Sequence, residues 1–146
     1  MTEGASGDGR EPDHIERLRV RFSDTDAGGI AHHSNFFRWL EEARIGFLRE
    51  IGLSYREIEK SGVHFPVTAC TAEFLRTIRS EDKIEIDLWV ARSNRVRMNV
   101  SYRVRLGSAV AAVATTGHAF VSDAGEPIRL MRDSALWQAL TEFNPG

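Results

Sequence analysis

Leu18, Val20 and Phe22 alternate with Arg19, Arg21 and Ser23, the two-residue period of a strand with one buried face. The run Asp24-Thr25-Asp26-Ala27-Gly28-Gly29 then breaks the pattern, and its glycines and aspartates predict a tight turn or loop. From Asn35 to Ile51 the period changes: Phe36, Leu40, Ala43, Phe47 and Ile51 recur at steps of four, three, four and four, one stripe of a helix. Phe37, Trp39 and Leu48 widen that stripe, so this rod, about 26 Å long at about 1.5 Å per residue, is expected to lie against or inside a sheet. Gly52 ends it. A short helix is predicted from Ser54 to Ser61, closed by Gly62. Ser34 reads as a possible helix cap, and Arg38 as a partner of Glu41 or Glu42 at helical spacing.

The remainder reads as strand. Val63 to Leu75 is rich in Val, Phe and Thr, with Pro66 pointing to a sheet edge or a bulge. Ile84, Ile86, Leu88 and Val90 alternate with Glu85, Asp87 and Trp89, and Met98, Val100, Tyr102 and Val104 alternate with Asn99, Ser101, Arg103 and Arg105. The second, the cleaner alternation, predicts one apolar and one wet face. Gly107-Ser108 supplies a two-residue hairpin connection. Val110 to Val121 is nearly all apolar or small, as for a strand covered on both faces, with His118 in the core or at an edge, like His64. A last helix is predicted from Arg132 to Phe143, with Asp133 as its N-cap. Strand, long helix and four further strands make an α+β domain: a five-stranded antiparallel sheet around one long helix.

Composition narrows the function. At 146 residues the chain is one domain, with residues 1–13 a polar, disordered tail and residues 14–146 the folded part. Nineteen basic against 21 acidic residues give a net charge of −2, no basic excess for a nucleic-acid backbone. No apolar run is long enough to span a bilayer, and the N-terminus has no secretory pattern. One cysteine, Cys70, forms no internal disulfide and suits a reducing, cytoplasmic setting; its side chain reads as a small core residue. Trp39, Trp89 and Trp137, with a sheet too small to bury its own apolar surface, point to self-association.

The chemistry concentrates between Arg21 and Arg49. Two carboxylates, Asp24 and Asp26, precede a glycine turn, and two imidazoles, His32 and His33, lie immediately before a helix start. Unpaired amides at a helix start stabilise an oxyanion, and a nearby carboxylate acts as nucleophile or general base. Together they suit hydrolysis of an acid-derived carbonyl. The bland reading stands beside this one: aspartates next to glycines commonly brace turns through their own side chains. Adjacent histidines rarely face one ion and no ligand spacing accompanies them, so no metal site is expected. No G-x-S-x-G elbow points to a serine hydrolase.

The run F-x-D-T-D-A-G-G-I followed by H-x-N-F-x-x-W-x-E-x-A-R resembles the 4-hydroxybenzoyl-CoA thioesterase-like family of hotdog-fold acyl-CoA thioesterases, and the order of elements over residues 15–121 matches that family as well. The resemblance implies a hotdog fold, with the sheet wrapped around one long central helix and two sheets joined side by side in a homodimer, or a homotetramer. It implies Asp26 as the catalytic carboxylate, attacking the thioester carbonyl or activating water. The His33 backbone N–H serves as oxyanion donor, Asn35 fixes the loop and helix start, and Asp24 supports them. Glu41 is the alternative carboxylate, because some hotdog thioesterases use an acid on the helix. Arg92 lies near a cluster that contacts the coenzyme A nucleotide in some members; Ser93 and Asn94 replace its other basic residues, with Arg95 able to compensate. Where many relatives carry an aromatic residue and a large aliphatic one, this chain has His32 and Ala31, so the acyl group does not carry over.

The implied activity is hydrolysis of an acyl-CoA or acyl-carrier-protein thioester, with coenzyme A as part of the substrate and no metal or redox cofactor. Two other classes fit the same scaffold. An enoyl-CoA hydratase-type hotdog enzyme would add water across a double bond, and a non-catalytic acyl-CoA-binding module would hold its ligand without releasing thiol.

Overall fold

A computed structural model describes residues 9–143 of the chain. Five strands, β1 (His14–Arg19), β2 (Val67–Phe74), β3 (Lys83–Val90), β4 (Arg97–Leu106) and β5 (Ala109–Ala119), form one sheet in the order β1-β3-β4-β5-β2. Every neighbouring pair is antiparallel. Pro66 sits just before β2, an edge strand with a register shift between Val67 and Ala69, so the proline's missing donor falls outside the ladder. The hairpin from β4 to β5 turns through Gly107 and Ser108, with Leu106 opposite Ala109 and Gly107 at φ +61°, a left-handed conformation that glycine adopts without the strain a side chain brings.

Among the described residues three α-helices accompany the sheet: α1 (His33–Glu50), α2 (Tyr55–Lys60) and α3 (Ala135–Phe143). The 18-residue α1 buries Phe36, Trp39, Leu40, Ala43, Gly46, Phe47 and Leu48, the stripe its spacing predicts, against the sheet. Its closest approach is to β1, where a Cβ on Gly46 would stand 2.1 Å from Glu16 Oε1 and 3.0 Å from His14 Nε2. Both ring nitrogens of the buried His14 meet carboxylates there, Glu16 Oε1 at 2.8 Å and Glu50 Oε1 at 2.9 Å. Two caps differ from expectation. His32, not Ser34, caps α1, its ring accepting from the Ser34 amide. Ser134, not Asp133, caps α3, its hydroxyl accepting from the Trp137 amide at 3.2 Å.

The face of β4 expected to be wet is in part covered, with Ser101 3% exposed, and so is the same face of the neighbouring β3. Asp87 and Trp89 are each 1% exposed. Arg103 and Arg105 lie over Asp87, donating from Nε at 2.8 and 2.7 Å, and their aliphatic stems shield the face while the heads reach water. Arg103 also lies 5.1 Å from the Trp89 ring centroid. The N-terminal strap completes the cover. Trp89 Nε1 donates to the Arg10 carbonyl at 3.0 Å, and the Val90 amide donates to Asp13 Oδ2 at 2.8 Å. Residues 10–13, expected in a disordered tail, are therefore pinned to β3; residues 1–8 of that tail lie outside the described residues. Phe22, expected on the buried face of the first strand, is 68% exposed, because β1 stops at Arg19 and a 3-10 turn, Phe22–Asp24, follows.

A chain of polar groups crosses the core between α1 and the sheet. Arg44 donates to the Tyr102 hydroxyl at 3.0 Å, which lies 2.6 Å from Thr116 Oγ1. Thr116 Oγ1 lies 2.9 Å from His118 Nε2, and His118 Nδ1 is 2.8 Å from the Phe65 carbonyl. A carbonyl only accepts, so the proton of a neutral His118 sits on Nδ1 and Nε2 accepts from Thr116. Burial pushes the His118 pKa down from 6.5 to about 4. Between those values the unfolded chain binds a proton that the folded chain does not. Stability contributed by the neutral ring is complete above pH 6.5 and falls as pH drops toward 4, by up to about 3 kcal/mol. Urea denaturation from pH 7 to 4.5 should show this loss, and His118→Gln should lessen the slope.

Candidate active site

The loop between β1 and α1 is organised by Asp24, which is 1% exposed. Its carboxylate accepts from the Arg21 amide at 3.0 Å through Oδ2 and pairs through Oδ1 with the Arg38 guanidinium from the second turn of α1. Its carbonyl accepts from the His32 amide at 3.0 Å and from Asn35 Nδ2 at 3.1 Å. One residue thus ties the strand end, the loop and the helix start together, and Asn35 fixes the loop to α1. Arg38 pairs with Asp24, not with Glu41 or Glu42: a buried carboxylate demands a cation more strongly than an exposed one a turn away.

Asp26 lies in the exposed turn. Its Oδ1 accepts from the amides of Gly28 at 2.8 Å and Ile30 at 3.2 Å, so it does brace the turn. Its backbone closes the same loop, the amide donating to the Ile30 carbonyl at 2.8 Å. No described residue donates to Oδ2. The carboxylate is therefore oriented by one oxygen and open at the other.

At the helix start, the Ser34 amide donates to His32 Nδ1 at 3.1 Å and the Asn35 amide to the His32 carbonyl at 2.9 Å. The first helical amide, that of His33, has no acceptor among the described residues. The His33 ring stacks on His32, centroids 4.5 Å apart. Both line a cleft of about 330 Å³ walled by Phe36, Trp39 and Phe74 and closed by the segment Leu75–Ile78. Phe36 and Phe74 meet edge to face at 4.8 Å. The Ala31 amide donates to the Ile78 carbonyl at 2.7 Å and holds that segment to the loop. The cleft borders the Asp26 turn through Ile30 and Ala31, while Asp26 itself is not among the residues that line it; an uncommitted helix amide beside an aromatic cleft is suited to stabilising an oxyanion.

The family model described as the thioesterase-like superfamily matches residues 20–138. The chain belongs to the hotdog-fold acyl-CoA thioesterase family. This thioesterase is 36% identical over 110 residues to a 1,4-dihydroxy-2-naphthoyl-CoA hydrolase of Prochlorococcus marinus, covering 70% of this chain and 73% of the relative. Among solved structures it is similar to a DHNA-CoA thioesterase from Staphylococcus aureus (TM-score 0.82, 27% identity, 88% of each chain). It is also similar to a hypothetical protein from Aquifex aeolicus (TM-score 0.80, 32% identity, 86% of this chain and 98% of that one).

Other expected residues of the thioesterase lie elsewhere. Glu41 is exposed on α1 and lines a separate cavity of about 100 Å³ with Arg44, Tyr55 and Val67, so a single chain does not bring it to the cleft that His32 and His33 line. Arg92 and Arg95 lie beyond the end of β3, Arg95 donating to the Leu130 carbonyl at 3.1 Å. Burial, then the guanidiniums of Arg132 and Arg129, lower the Arg95 pKa. Cys70, expected in the core, is exposed on the edge strand. Trp39 and Trp89 are buried within the chain and are not association surfaces. Among the described residues, no three of His, Cys, Asp or Glu are placed to hold a metal ion, and no helix is long and apolar enough to cross a membrane. Sequence reasoning missed Phe74, Leu75, Arg76 and Ile78 as cleft residues, because the sheet alone brings that segment to the helix start.

Arg38→Ala would leave the Asp24 charge buried without its cation. Because Arg38 itself is about half exposed (47% of its side chain), the expected loss is about 2 kcal/mol, below the range for a fully buried pair, measured by chemical denaturation.

Proposed function

We propose that this protein hydrolyses an aromatic acyl-CoA thioester to the free acid and coenzyme A. The observation that carries the reading is the uncommitted His33 amide at the start of α1, lining an aromatic cleft beside the Asp26 turn. The thioester carbonyl oxygen sits on the His33 N–H, where negative charge develops. Asp26 supplies Oδ2, either as a base that takes a proton from water or as the nucleophile itself. In the first route a carbon–oxygen bond forms from water to the carbonyl carbon, the carbon–sulfur bond breaks, and the proton held by Asp26 passes to the departing thiolate. In the second, Asp26 Oδ2 bonds to the carbonyl carbon as the carbon–sulfur bond breaks and the thiolate leaves; water then cleaves the resulting acyl anhydride, regenerating the Asp26 carboxylate and giving the free acid, with the water's proton taken up by the thiolate. Both rely on orientation and charge stabilisation, and neither calls for a metal or redox group. Phe36, Trp39 and Phe74 suit an aryl group, as do relatives named for dihydroxynaphthoyl-CoA.

A second copy completes the site in this reading. β2 is an edge strand exposed along nearly its whole length, with Val67, Phe74 and Leu75 each 45–51% exposed. Such an edge offers unpaired backbone groups to another strand. Antiparallel pairing of two β2 edges sets the start of one strand beside the end of the other. The end of the sheet that carries Arg92, Arg95 and Arg97 in one copy then adjoins the Phe74 cleft of its partner, a place for the phosphates of coenzyme A.

Thiol release from benzoyl-CoA and naphthoyl-CoA tests the reading. Asp26→Asn should lower kcat at least a hundredfold with the melting temperature little changed, since an amide oxygen still accepts from Gly28 and Ile30. Equal turnover by Asp26→Asn would exclude the mechanism. Stable binding of acyl-CoA by the wild type without thiol release would exclude the activity.

A further inference from the structure

The acyl cleft is lined by donors, and its walls carry no acid, Asp26 standing on the turn that adjoins it through Ile30 and Ala31. Its lining includes His32, His33, Arg76 and Thr77 and neither Asp nor Glu. Arg76 is held by its backbone, the amides of Leu75 and Arg76 both donating to the Ala111 carbonyl, at 2.8 and 3.1 Å, while its guanidinium makes no hydrogen bond or ion pair with any described residue. His32 is committed on one side only. Nδ1 accepts from the Ser34 amide at 3.1 Å and lies 2.7 Å from the Ser34 hydroxyl. An amide only donates, so a neutral His32 carries its proton on Nε2 and presents that edge as a donor. A free guanidinium and a fixed imidazole N–H thus share a cleft whose other walls are Phe36, Trp39 and Phe74.

Resting on the thioesterase reading above, we infer that the cleft selects an aromatic acyl group bearing a second, negatively charged oxygen substituent, bound by Arg76 and His32. The ring packs against Phe36 and Phe74, and the anion, at the far side of the ring from the thioester, meets the guanidinium with the His32 Nε2–H beside it. Apolar walls strengthen such an attraction by excluding water around it. Ala31, the smallest apolar side chain in the lining, leaves room on the loop side for a ring with a substituent. Arg76 and His32 are specificity-determining residues here, while the bond-breaking chemistry remains with Asp26 and the His33 amide.

Steady-state thiol release from 4-carboxybenzoyl-CoA and benzoyl-CoA by the full chain tests the inference. The wild type should favour the carboxylated substrate in kcat/KM, and Arg76→Gln should lower that ratio about tenfold, the size of one charge-assisted hydrogen bond; His32→Phe should lower it by a smaller factor. Calorimetric titration with terephthalate and benzoate gives a readout without turnover: terephthalate should bind the wild type more tightly, and Arg76→Gln should remove most of the difference. No preference in the wild type overturns the inference, as does an equal fall in kcat/KM for both substrates in Arg76→Gln, which would place the guanidinium on the phosphates of coenzyme A. If terephthalate binds in the Arg76-dependent way and no thioester is cleaved, the selectivity stands and the hydrolytic reading fails.

Discussion

A single buried carboxylate governs the architecture of this site. Asp24 is excluded from water, so its charge must be matched inside the fold, and Arg38 from α1 matches it while the Arg21 amide takes the other oxygen. Because Arg38 and Asn35 both rise from the first turns of α1, satisfying Asp24 fixes the helix start relative to the loop. The Asp24 carbonyl, accepting from His32 and Asn35, repeats the constraint through the backbone. Breaking such a pair is costly even where a well-packed apolar replacement would not be, so one geometry is enforced. In that geometry two of the first three helix amides are used and the His33 amide stays open.

The rest of the fold holds the rod that carries this amide. The Arg44–Tyr102–Thr116–His118 chain sets α1 against β4 and β5, and every donor in it has one acceptor in a consistent direction. Gly46 lets β1 and the His14–Glu50 contact reach the helix face. On the other side of the sheet, Asp87 with Arg103 and Arg105, and Trp89 beneath the N-terminal strap, close a surface that would otherwise be wet. Polar groups thus specify position while the apolar stripe of α1 supplies the burial.

Much of this was legible in the chain. The strand and helix periods place all five strands and α1 within a few residues, and the aspartate–glycine run before an aromatic helix marks the loop that carries Asp26. Reasoning failed where a partner is distant in sequence. Arg38 is read locally as a mate of Glu41 or Glu42, because nothing in the pattern says that Asp24 is buried. Asp87 and Trp89 alternate as exposed residues do, and only the neighbouring strand's arginine stems reveal the cover. Ser34 has the usual capping chemistry, yet the helix begins two residues earlier, at His33, and the His32 imidazole takes the role. The cleft wall at Phe74–Ile78 leaves no local signal, since the sheet brings it to the helix start from over forty residues away.

The most direct measurement is a crystal structure of the protein with a non-hydrolysable aryl-CoA analogue in which a methylene replaces the thioester sulfur. The account predicts the ketone oxygen within about 3 Å of the His33 backbone nitrogen, the carbonyl carbon facing Asp26 Oδ2, and the ring packed against Phe36 and Phe74. A ketone oxygen bound elsewhere, with the His33 amide facing solvent and Asp26 remote from the carbonyl carbon, would contradict it.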